Sequence, residues 1–95
     1  MSVSFEWNTS KAKSNLKDHK VSFDEAKTVF EDSLASLFFD PDHSEDEHRE
    51  ILIGYSDNGR LLIVSFTERS PDVIRIISAR KASKSERLAH EKHKK

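Results

Sequence analysis

A chain of 95 residues without a cysteine has room for one domain, 1–95, and excludes disulfides, thiolate metal sites and cysteine nucleophiles. Its net charge of −1 at pH 7 looks neutral, but residues 80–95 hold seven Lys/Arg against two acids, and the remainder nine against fifteen. No apolar run approaches the ~20 residues of a membrane helix, and MSVSFEW lacks a signal peptide's plan, so a soluble, cytoplasmic chain with no membrane contact is expected.

Residues 3–7, VSFEW, alternate apolar and polar and suit a first strand. Asn8 then offers a side-chain oxygen to the free amides of a helix over 9–19, in which Ala12 and Leu16 share one thin apolar face. Asn15, Lys13, Lys17 and His19 take the other faces. Ser22 followed by Glu25 is a capping box, opening a second helix over 23–32 with Phe23, Ala26, Val29 and Phe30 inward. LASLFF, 34–39, reads as a strand that stops at Asp40-Pro41.

The segment DPDHSEDEHRE, 40–50, has no apolar residue and reads as a loop leading into a strand on which Ile51, Ile53 and Tyr55 share one face and Leu52 the other. Asp57-Asn58-Gly59 closes a hairpin onto 60–68, RLLIVSFTE, since Asn and Gly tolerate positive φ. A turn at 69–72 leads to the last strand, 73–80. Serines 83 and 85 are candidate caps for a basic helix or tail over about 83–95. That basic end suits a polyanion, an acidic partner, or simple solvation of a terminal helix. The pattern is α+β: two N-terminal helices, an antiparallel sheet and one C-terminal helix.

His43/His48 and His90/His93 lack a convincing third ligand, and the acids of 40–47 lack the glycine and spacing of a calcium loop, so no metal or cofactor is expected. What remains is a set of cations on or beside the sheet: Arg49, Arg60, Arg69, Arg75, Arg80 and Lys81. If the last strand is regular, Arg75, Ile77 and Ala79 project together and Arg80 oppositely. Arg75 lies in an apolar strand, so it either pairs with an acid such as Glu68 or Glu50 or faces a functional groove. Cleavage of RNA by its own 2′-hydroxyl would use such an inventory. A base takes the hydroxyl proton, an acid protonates the departing 5′-oxygen, and guanidinium forks hold the phosphate. His19, Glu47, His48 and His90 are candidates for the proton work.

The order of motifs resembles one family. FEWN (5–8), K-x-x-x-N-L-K-x-H (11–19), V-S-F-D-E-A-x-x-V-F-x-D (21–32), D-P-D-H-S (40–44), E-x-R (47–49), I-G-Y-S (53–56), T-E-R (67–69) and I-R-I-I-S-A-R-K-A (74–82) are similar to the BrnT toxins. The resemblance implies a RelE-like fold and a ribonuclease of a type II toxin–antitoxin pair that blocks translation. It also implies a BrnA-like antitoxin, which makes a two-plus-two assembly and carries the contact with operator DNA. On that reading Arg49, Arg75 and Arg80 hold phosphate, His19 or His90 moves protons, and Lys17 and Lys81 guide the RNA backbone. Trp7 stacks on a base or packs as a rim aromatic. The alternative is a catalytically weak or inactive binding module whose basic surface docks an antitoxin. Two departures stand out. The family's His-Gly is His19-Lys20 here, for which a relaxed turn is expected, and its terminal-helix tyrosine position holds His90.

Overall fold

The computed structural model describes residues 3–39 and 48–93, the side chain of the last excepted. The acidic segment 40–47, with Glu47 and the D-P-D-H-S motif, lies outside the described residues, as do the two terminal lysines. The elements run β1 (Ser4–Glu6), α1 (Thr9–His19), α2 (Phe23–Thr28), a 3-10 turn (Val29–Glu31), β2 (Ser36–Phe39), β3 (Arg49–Tyr55), β4 (Leu61–Ser70), β5 (Val73–Lys81) and α3 (Lys84–His93). The five strands form one sheet in the order β1-β5-β4-β3-β2. Three pairings are antiparallel, but β1 joins β5 in parallel, because the two helices that follow β1 carry the chain away before the sheet is built.

The sheet has two unlike faces. On the first, Leu52, Leu62, Val64, Phe66, Ile76 and Ala79 pack against Val21, Phe23, Ala26 and Val29. Phe30 bridges Phe5 and Phe66 edge-on at 5.1 and 4.9 Å. The second helix is shorter than its sequence pattern because the chain tightens into the 3-10 turn at Val29, which keeps Val29 and Phe30 against the sheet. Gly54 allows this closeness: a Cβ there would lie 2.8 Å from Ala35 Cβ and 3.0 Å from Val29 Cγ1.

The first helix is held by a polar residue. Leu16 is half exposed, whereas Asn15 is buried. The Asn15 amide donates to the carbonyls of Ala79 (2.7 Å) and Val21 (2.9 Å) and accepts from the Ala79 amide (3.1 Å). It therefore pairs with β5 beyond the end of the short β1, satisfying an edge that would otherwise lie open. Lys20 corrects a second expectation. The turn is not relaxed by losing glycine: Lys20 adopts φ 61° as the left-handed cap of α1, and its amide donates to Leu16 O.

Candidate functional site

The second face carries the arginines, and a bulge decides this. Ser65 pairs with Ser78, but Phe66 pairs with Ile76, so Ile77 is an extra residue in β5. Ile76 and Ala79 both reach the core, and Arg75, Ser78 and Arg80 share the opposite side. The regular alternation expected from sequence, with Arg75 and Arg80 on different faces, is overturned.

Across this face Arg49 stands opposite Thr67, and Thr67 opposite Arg75. Two strand spacings put the flanking arginines roughly 10 Å apart at Cα. Thr67 is buried and donates its hydroxyl to the His48 carbonyl at 2.8 Å, which holds the start of β3, and with it Arg49, in register. Arg75 donates to Glu6 at 3.0 Å, the side chains being 33% and 42% exposed. Its partner is thus on β1 rather than Glu68 or Glu50, whose cross-strand neighbours Ile74 and Phe66 face the core.

Arg80 lies opposite Ile63, four residues along β4 from Thr67 and hence roughly 13 Å from the first row. Both of its terminal nitrogens donate to Glu86 of α3 at 2.9 Å, with the side chains 46% and 34% exposed. Glu86 also accepts from the Ser83 amide at 2.8 Å while Ser83 caps the Glu86 amide, a reciprocal capping box. The Arg80 fork first, then the Ser83 amide, hold the Glu86 carboxyl at about 2 against an ordinary 4.5. The arginines therefore form two stations on one face, and Arg75 and Arg80 each hold a carboxylate.

The remaining expected site residues divide. His90 is a buried residue of α3, 6% exposed, edge-on to Tyr55 at 6.0 Å. It lines a cavity of about 190 Å³ with Ser36, Phe38, Ile53 and Glu86, and so sits on the arginine face. His19 ends α1 and lines a separate hollow along β5 with Ser14, Asp18 and Ile77, where no arginine reaches. Lys17 is exposed on α1, and Lys81 is exposed at the end of β5. Trp7 packs edge-on to Phe23 at 5.8 Å against the core, the rim position rather than an open stacking platform.

Sequence reasoning missed Glu6 and Glu86 as partners. The Ser83-Glu86 spacing was the one available signal, since the partners meet only through strand register. Among the described residues no cluster of three or more His, Asp or Glu is placed to hold a metal, and no helix is long and apolar enough to cross a membrane.

The family model described as "Ribonuclease toxin, BrnT, of type II toxin-antitoxin system" matches residues 7–86. The chain belongs to the BrnT family. Membership makes it a toxin of a type II toxin–antitoxin system, in a family named for ribonuclease activity, and implies an antitoxin partner. The 1.1 Å crystal structure of the Brucella abortus ribonuclease toxin, BrnT, shares the fold: TM-score 0.68 at 20% identity, covering 87% of this chain and 100% of that one. No curated protein matches the chain. Within the BrnT fold, the match ends at the Glu86 clamp, and His90 lies beyond it.

Proposed function

We propose that this BrnT chain is an active endoribonuclease, working without a metal, that cuts RNA on the α3-covered face of its sheet. The observation that carries this reading is the bulge at Ile77, which brings Arg80 to the same side as Arg49 and Arg75. Their forks suit the non-bridging oxygens of a phosphodiester, where negative charge grows as the 2′-oxygen attacks. The exposure of the Glu6 and Glu86 carboxylates makes both exchangeable for phosphate. The attacking hydroxyl gives up its proton as the new P–O bond forms, and the departing 5′-oxygen gains one as the old bond breaks. The products are a 2′,3′-cyclic phosphate and a 5′-hydroxyl end. His90, on the arginine face, serves the proton transfer better than His19, whose place is to cap the negative end of α1. Its burial requires α3 to shift when RNA enters. Lys17 and Lys81 guide the backbone, and Trp7 supports the core.

In the cell this activity stops translation in the cytoplasm. A BrnA-like antitoxin neutralises it, joins two toxins into a two-plus-two assembly, and supplies the contact with operator DNA. Arg80→Ala should leave the fold intact and abolish growth arrest on induction. Arrest as strong as the parent's would remove Arg80 from the phosphate site.

A second reading has a specific observation in its favour. Arg75 and Arg80 already bind carboxylates, the chemistry an acidic peptide of an antitoxin would offer, so the chain could be a docking module without catalysis. Purified protein incubated with RNA, with and without EDTA, separates the two. Cleavage that survives chelation supports the enzyme; intact RNA beside tight antitoxin binding supports the module.

A further inference from the structure

At the end of the sheet beyond Arg80, Tyr55, Arg60, Lys81 and Arg87 line a cavity of about 250 Å³. Three cations meet there from three elements: the hairpin before β4, the last residue of β5, and the first half of α3. No carboxylate lines the cavity. Two of the lining residues bond to acids outside the lining. Glu25 takes the Arg60 guanidinium through Nε at 2.9 Å and through Nη2, and Glu91 accepts from the Tyr55 hydroxyl at 3.0 Å.

Arg60 is thereby preorganised. Glu25 fixes the plane of its fork, the Lys20 carbonyl takes a further bond from Nη2 at 3.0 Å, and Nη1 has no hydrogen-bond partner among the described residues. Lys81 and Arg87 differ from Arg75 and Arg80 in having no carboxylate at ion-pair distance among the described residues. Two cations without a carboxylate at ion-pair distance among the described residues therefore sit here, where they and a rigid guanidinium line one hollow.

We infer that this cavity binds a backbone phosphate of single-stranded RNA, next to the one held by Arg80. The inference rests on the ribonuclease reading for the identity of the ligand. Lys81 follows Arg80 directly and projects to the other side of β5, so a strand gripped at Arg80 passes over the end of the sheet into the cavity. Exchanging water and counterions for one phosphate there costs little ordering, because Arg60 is already fixed.

The test is the salt dependence of RNA binding by the full chain. Fluorescence anisotropy with a labelled single-stranded RNA oligonucleotide compares the parent with Lys81→Ala/Arg87→Ala. The control, Lys13→Ala/Lys27→Ala, removes the same charge from exposed lysines of α1 and α2. Both target side chains are exposed, so a thermal melt should be unchanged. Loss of one phosphate contact lowers the slope of log K against log salt by about 0.7. The expected result is that decrease in the target variant, with a smaller change in the control. Equal slopes in parent and target variant, equal losses in target and control, or no RNA binding by the parent would overturn the inference. Binding by the parent that shows the decrease without any cleavage would keep the cavity and remove the ribonuclease reading. Cleavage whose KM and salt slope ignore the double substitution would do the reverse.

Discussion

Two Arg–Glu pairs with the same chemistry sit at opposite sides of the sheet and differ in what surrounds them. Below it, Glu25 of α2 is 8% exposed and holds Arg60 before β4, with the Ser56 hydroxyl donating to the same carboxylate at 2.7 Å. The Arg60 hydrogen bond outweighs the burial that opposes ionisation, and the Glu25 carboxyl is held below its usual range. Above it, Glu86 holds Arg80 with both side chains more than a third open to water. The first pair ties an N-terminal helix to a hairpin 35 residues further along the chain. The second is a clamp between neighbours in sequence, on the face where the substrate is proposed to lie. Burial makes one pair part of the fold and leaves the other replaceable.

The sharpest way to break the contrast is Glu25→Gln. It strands a partly buried guanidinium and should cost about 3 kcal/mol, the low end for a broken buried pair because Arg60 keeps some solvent. Urea unfolding would measure it, and a loss below about 1 kcal/mol, the ordinary worth of an exposed pair, would erase the distinction. A smaller effect of opposite sign comes from Lys20→Gly. It relieves the left-handed backbone while keeping the carbonyl that Arg60 uses, and should stabilise by about 1 kcal/mol in the same assay.

Glu86→Gln should change stability least, within roughly 0.5 kcal/mol, because exposed pairs are screened. Its larger consequence is functional: Arg80 is released, so RNA affinity should rise, and weaker binding than the parent's would refute the exchange of carboxylate for phosphate. The same clamp has a pH signature. The Glu86 carboxyl is lower in the folded chain than in the unfolded one, so its contribution is present above about 4.5 and is lost as pH falls toward about 2. NMR of the α3 amides should follow that window; a titration midpoint left at 4.5 would show that the clamp contributes nothing.

Local sequence periodicity was enough for the elements near the site. The apolar alternation of β3 and β4 placed Ile51, Ile53 and Tyr55 together, and Ser22 caps Glu25 at 3.0 Å as its spacing predicts. The Asp57–Gly59 turn closes its hairpin with Gly59 at φ 77°. The site was legible only as an inventory. Arg75 and Arg80 were visible as cations in an apolar strand, but their common side depends on one inserted residue at Ile77, which no period-2 pattern announces. Asn15 was counted with the solvent faces of α1, since its partner at Ala79 lies 64 residues away.

What the sequence determined by itself was whatever is encoded within a few residues: turns, caps, the alternation of strands, and the order of motifs that marks the family. The tertiary structure alone decided which charges meet. An ion pair such as Arg75 with Glu6, 69 residues apart, is set by strand order and register. Those follow from how two apolar faces fit together, and local spacing does not carry that information.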